Sequence, residues 1–145
     1  MATPFQVTFD CASPGRLAHF WATALGYILQ PPPEGYASWE EWLSAQGVPE
    51  SERDAISAVV DPDGNGPRLL FLRVPEPKTV KNRVHLDLNV GGPLDTPLDE
   101  RWRRVEDAVA RLREAGATFV REASDEYGAR WVVLQDPEGN EFCVQ

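Results

Sequence analysis

Two short stretches place a polar side chain on every second residue. FQVTFD alternates Phe5, Val7 and Phe9 with Gln6, Thr8 and Asp10, and VHLDLNV alternates Val84, Leu86, Leu88 and Val90 with His85, Asp87 and Asn89. A period of two sends one set to a packed face and the other to a face that is wet or functional. In that polar set His85 is the residue able to shuttle a proton or bind a metal through a ring nitrogen. It could equally make a structural hydrogen bond to Asp87, Gln6 or a backbone carbonyl. The chain closes on DPEGNEFCVQ, which adds a carboxylate, Glu141, and a thiol, Cys143. Two residues apart on a strand, they share a face. Glu141 could move a proton or pair with Arg130 or Lys81. Cys143 could be a small buried hydrophobe. A reactive thiolate would need a positive neighbour, and none stands nearby in sequence. The other histidine, His19, lies in a helical stretch and reads as an ordinary outer residue.

The elements that must position these residues occur twice. FQVTFDCASP, GRLAHFWATALGY and AISAVVDPDGNGPRLLFLRV are followed by RVHLDLNVGG, ERWRRVEDAVARLREAGATFV and GARWVVLQDPEGNEFCVQ. Each half reads strand, helix, short strand, strand, turn, strand. Leu17, Phe20, Trp21 and Leu25 recur at helical spacing, with Ser13 as N-cap, Pro14 in the first turn and Gly26 as the stop. Leu98–Ala115 repeats the pattern with Trp102, Val105, Val109 and Leu112 inward and Gly116 at the end. The two Asp-Pro-x-Gly-Asn turns, at Asp61 and Asp136, read as hairpins whose glycine supplies positive φ. Their aspartates are expected to accept local backbone N–H bonds.

One insertion distinguishes the halves. Residues 30–55 begin with three prolines, which forbid a regular element there, and continue into a short helix capped by Ser38 and carrying Trp39, Trp42 and Leu43. These tryptophans either seal an edge of the core or wall a cavity. Trp21 and Trp131 are core candidates first and ligand-stacking residues second. Val74–Asn82, with two prolines, reads as the connection between a first module, 1–75, and a second, 82–145, within a single domain spanning 1–145.

A chain of 145 residues buries roughly 70% of its unfolded surface, so it needs no disulfide framework, and its two cysteines could not make one. The opening MATPFQVTFD lacks the basic and apolar regions of a signal peptide. No apolar run approaches the ~18 residues of a membrane span. The expectation is a cytoplasmic protein with reduced thiols and no membrane partner. With 23 acidic against 14 basic residues, net charge −9, the surface repels phosphate backbones and excludes nucleic acid as a partner. Nucleophile-elbow, Walker and dinucleotide-binding motifs are missing. DPDGNG lacks the remaining ligand spacing of a calcium loop.

Taken together, FDCASPGRLAHFWATALGY, RVPEPKTVKNRVHLDLNV and QDPEGNEFCVQ resemble a bacterial glyoxalase-like branch of the vicinal oxygen chelate superfamily. This superfamily includes glyoxalases, extradiol dioxygenases, fosfomycin-resistance enzymes and bleomycin-resistance binding proteins. The resemblance covers nearly the whole chain. It implies an α+β fold of two βαβββ modules in a curled mixed sheet, with helices outside and a concave ligand cup. Phe5, Val7, Phe9, Val84, Leu86 and Leu88 would face the helices, and Gln6, Thr8, Asp10, His85, Asp87 and Asn89 the cup. Metal-using members take one ligand from the first strand and one from the last strand of each module. The positions that match here are Gln6, His85, Cys143 where a glutamate is usual, and Leu70 or Leu72. Glu141 stands one step nearer the turn.

Such a set is poor for a hard octahedral ion. No cofactor is therefore expected, although a divalent metal held by Gln6, His85 and Glu141 is possible, as is a zinc site from His85, Cys143 and Glu141. Three functions compete. The first is a small-molecule-binding protein without a catalytic metal, in which Gln6, Thr8, His85, Asp87, Leu72, Trp131 and Cys143 contact the ligand. The second is a metal-dependent lyase or isomerase of glyoxalase type, with Glu141 moving a proton. The third is a metal-free enzyme using His85 and Glu141 as an acid–base pair. The resemblance also admits a homodimer, because cup edges pair in that superfamily.

Overall fold

The alternation of FQVTFD becomes a five-residue strand. In the computed structural model, which describes residues 1–145, β1 runs Val7–Cys11 and leads into helix α1, Pro14–Leu25. Ser13 takes the N-cap position with Pro14 in the first turn, where the missing N–H would have had no helical partner. Gly26 ends the helix at φ 70°, a left-handed cap that any Cβ would penalise. β2 (Ile28–Leu29), α2 (Trp39–Ala45), a 3₁₀ turn (Glu50–Glu52), β3 (Ile56–Val60) and β4 (Leu69–Arg73) complete a first unit, Met1–Pro77. Its four-stranded sheet has the order β1-β4-β3-β2, with β1 and β4 parallel and the other pairs antiparallel.

The second unit, Lys78–Gln145, repeats the plan. β5 (Asp87–Leu88), α3 (Leu98–Glu114), β6 (Thr118–Ser124), β7 (Arg130–Gln135) and β8 (Glu141–Val144) form a sheet of order β5-β8-β7-β6. Only β5 and β8 pair in parallel. The architecture is α+β with two βαβββ modules, as the sequence implies.

Helical periodicity decides what each helix buries. α1 lays Leu17, Phe20 and Trp21 against β3 and β4, where Val59, Leu69 and Phe71 are also buried. Phe9 joins them, its ring 5.2 Å from that of Trp21 and 5.3 Å from that of Phe71. α3 buries Val105, Ala108 and Leu112, and packs on β7 and β8, which contribute Leu134, Phe142 and Val144. Each large apolar side chain so enclosed contributes about 1.5–3 kcal/mol. Both Asp-Pro-x-Gly-Asn turns close as expected. Asp61 accepts the N–H groups of Asp63, Asn65 and Gly66, and Asp136 those of Glu138 and Asn140. Gly64 and Gly139 take φ of 72° and 86°.

Three expectations need correction. Phe5 and Val84 do not face the helices: they are 71% and 79% exposed. Pairing starts too late to hold them, at Val7 N–H to the Arg68 carbonyl in one sheet and at Cys143 N–H to the Leu86 carbonyl in the other. α3 ends one residue early, with Ala115 as its cap and Gly116 beyond it at φ 118°.

The inserted segment forms α2 as Ser38 dictates. The Ser38 hydroxyl accepts the Glu41 N–H at 3.1 Å, and the Glu41 carboxylate accepts the Ala37 N–H at 2.8 Å. This reciprocal pair satisfies donors that the first turn would otherwise orphan. No residue of α2 is fully buried.

Candidate functional site

Five of the residues singled out from sequence meet in the second unit. His85, Asp87, Trp131, Glu141 and Cys143 all line one cavity of about 620 Å³, within the range of small-molecule sites. The parallel pairing of β5 with β8 builds it, because Asp87 stands opposite Cys143 in the register. His85 comes from the extended residues just before β5 and is held by its neighbour, with Nδ1 2.7 Å from Asp87 Oδ1. The donor atoms of His85, Asp87 and Cys143 lie within 4.8 Å of one another.

Cys143 is a protonated thiol. Burial, then the charge of Asp87 and the hydrogen bond to it, push its pKa up to about 11, although Lys81 and Arg121 pull the other way. Glu141 is the opposite case. Burial alone would raise it, but the Asn82 N–H at 2.9 Å and the Lys78 ammonium at 3.3 Å hold it down at about 2. Its partner is Lys78, not the Arg130 or Lys81 considered from sequence. Arg130 lies over the Trp102 ring, 3.6 Å from its centroid, and faces Glu122. A carboxylate so paired is a positioning anion that ties the connecting segment to β8.

The remaining residues of the expected site, Gln6, Thr8 and Leu72, belong to the first unit. Gln6 precedes β1, its amide nitrogen donating to Thr8 Oγ1 at 3.3 Å and its oxygen accepting from Arg68 Nη1 at 3.0 Å. Thr8 pairs with Leu70, and Asp10 with Leu72. The two units therefore answer the register question. Thr8 faces Leu70 as Asp87 faces Cys143, so Leu70 is the counterpart of Cys143 and Leu72 lies one step further along the same face. The two extra residues of the first turn, Gly66 and Pro67, account for the longer spacing.

The metal site implied by the superfamily does not fit these residues. Gln6 has one ligating oxygen, and a permanent cation, Arg68, donates to it. Leu70 offers no donor. In the second unit His85, Asp87 and Cys143 form a group that could hold an ion, but one of mixed nitrogen, oxygen and sulfur donors suited to zinc rather than to a hard octahedral cation. Asp87 replaces Glu141 in the set expected from sequence. Sequence reasoning missed Lys81 and Arg121 as lining residues of this cavity. Lys81 was considered only as a partner of Glu141, and Arg121, on β6, carried no signal.

A family model described as Glyoxalase-like domain matches residues 6–145. No curated protein matches the sequence. Among solved structures, the fold is similar to a glyoxalase/bleomycin resistance protein/dioxygenase family enzyme from Burkholderia phytofirmans PsJN, at 14% identity and TM-score 0.60, covering 96% of this chain and 94% of that one. It is similar to a hypothetical protein from S. aureus, at 15% identity and TM-score 0.57, covering 99% and 96%. It is also similar to a mutant of the fosfomycin resistance protein FosX from Listeria monocytogenes, complexed with Mn(II) and 1S,2S-dihydroxypropylphosphonic acid, at 9% identity and TM-score 0.63, covering 100% and 90%. No helix of the chain is long and apolar enough to cross a membrane.

Proposed function

Because the chain belongs to the glyoxalase-like domain family, we propose that it binds a small molecule without a catalytic metal, using the cavity of the second unit. The observation that carries this reading is the contact of His85 with Asp87 at the cavity wall. Asp87 fixes the imidazole by one nitrogen and leaves the other for a ligand. Trp131 offers a face, and Lys81 and Arg121 offer cations.

Chemistry of the donors argues against the metal-dependent lyase. Cys143 would have to lose a proton that burial and Asp87 retain, and metal binding must supply that cost. The same His85–Asp87 pair favours a second reading, a metal-free acid–base enzyme, because a carboxylate behind an imidazole orients it for proton transfer. In that reading His85 is the proton carrier, and Glu141, held ionised by Asn82 and Lys78, positions the segment.

Elemental analysis of protein purified without chelator tests the metal-free element, with no stoichiometric Zn, Ni, Mn, Fe or Co expected. One metal per chain, lost on His85→Ala, would move the lyase to first place. A fragment screen read by the imidazole resonances of His85 tests the site. Binders that leave those resonances unmoved would place the ligand elsewhere.

A further inference from the structure

The first unit holds a second cavity, which the residues 30–55 insertion builds. It measures about 510 Å³ and is lined by Leu29, Trp39, Trp42, Ile56, Ala58 and Arg68 among others. The two tryptophan rings meet edge to face, 5.5 Å apart at 86°. Trp39 Nε1 donates to the Gln30 carbonyl at 2.7 Å, which ties α2 down beside the sheet. The wall is therefore aromatic and aliphatic, and it is braced rather than loose.

Three charged residues interrupt that wall, Arg68, Arg53 and Glu52, and Arg68 is the cation without an ionic partner. Its Nε donates to Gln30 Oε1 at 2.6 Å and its Nη1 to Gln6 Oε1 at 3.0 Å. Both partners are neutral amides, so its orientation is fixed while its charge is not cancelled. The neighbouring Arg53 differs, since it is ion-paired with Glu40 and bonded to the Val48 carbonyl. Glu52, also a lining residue, is exposed to solvent. A guanidinium held in place with N–H groups left over, beside apolar walls, is a recognition site for a carboxylate, sulfonate or phosphate. The net charge of −9 opposes anions at long range, so their capture must come from this local contact.

We infer that the first unit binds an aromatic or similarly flat apolar molecule bearing one anionic group, with the ring against Trp39 and Trp42 and the anion on Arg68. The inference stands apart from the second-unit site, with which this cavity shares no lining residue.

The test uses two fluorescent probes, 8-anilino-1-naphthalenesulfonate and its neutral analogue N-phenyl-1-naphthylamine, titrated into the full chain with energy transfer from tryptophan as the readout. Saturable binding of the sulfonate at one per chain is expected. Arg68→Gln should weaken the sulfonate about tenfold, the scale of one charge-assisted contact, and leave the neutral probe within about twofold. Arg68→Lys should recover part of the loss. Trp42→Leu should weaken both probes, and it decides the matter if Arg68→Gln proves unfolded by circular dichroism. His85→Gln should change neither. Absent saturable binding, equal sulfonate affinity in folded Arg68→Gln, unchanged binding in Trp42→Leu, or loss on His85→Gln would each overturn the inference. The last result would leave the second-unit site standing.

Discussion

Asp87 serves two partners at once: its carboxylate lies 2.7 Å from His85 Nδ1, and its register places it opposite Cys143, whose thiol hydrogen-bonds to it. One anion thus orients the imidazole and adds to the burial that raises the thiol's pKa. Neither effect requires a ligand to be present.

Removing that charge should release the thiol. Asp87→Asn takes away both contributions of Asp87 that raise the Cys143 pKa and leaves Lys81 and Arg121 lowering it. Iodoacetamide should therefore alkylate Cys143 several-fold faster at pH 9 in the variant, about tenfold per pKa unit recovered. Cys11, buried in the first unit, is the internal control. An unchanged rate at Cys143 would show that burial alone governs it.

Cys143→His should create metal affinity where the native donors resist it. A neutral imidazole can ligate without first losing a proton, and His85 and Asp87 supply the other two donors. Co(II) absorption should report binding at least about tenfold tighter than in the native protein. Equal affinities would mean that the cavity does not let the three side chains converge.

Glu141 makes stability sensitive to acid. Its folded pKa, about 2, lies below the ordinary 4.5. The group therefore stabilises the fold above about pH 4.5, and the contribution disappears as pH falls from there towards 2. Glu141→Gln should lower stability at pH 7 by about 1–2 kcal/mol and flatten the loss over that interval. Urea melts at pH 7 and pH 3 would reveal the difference. Parallel pH profiles for the two proteins would contradict the assignment.

Phe142→Ala should cost about 3–5 kcal/mol, because the ring is fully buried on β8. Ser38→Ala should behave differently. It removes about 1 kcal/mol of capping from α2, whose residues are not fully buried. Hydrogen exchange should speed up in α2 while the global urea midpoint stays nearly fixed. A large global shift would show that α2 is coupled to the core.

Much of the architecture was legible because the signals are local. Pro14 and Gly26 mark the ends of α1, the two aspartate-led turns mark hairpins, and Leu17, Phe20 and Trp21 mark a buried helix face. The illegible parts depend on pairing between residues about sixty apart. Alternation gives the parity of Leu70 and Leu72 but not the register, which only the parallel contact with Thr8 and Asp10 decides. It likewise extends VHLDLNV to Val84, although the ladder reaches back only to Leu86. Lys78 as the partner of Glu141, and Arg68 at the insertion's cavity, are long-range meetings of the same kind. No spacing rule encodes them.

The position of β8 bears on how the protein is made. In the second sheet the last strand of the sequence lies inside, between β5 and β7. Until residues 141–145 leave the ribosome, β5 has no neighbour and the β6–β7 hairpin has an open inner edge. The first unit suffers no such delay, since its own interior strand β4 ends at Arg73. Synthesis runs at about 5–20 residues per second, so the 57 residues after Leu88 keep the second unit's sheet half-built for several seconds. During that interval its apolar strand edges are the part of the nascent chain most in need of a chaperone.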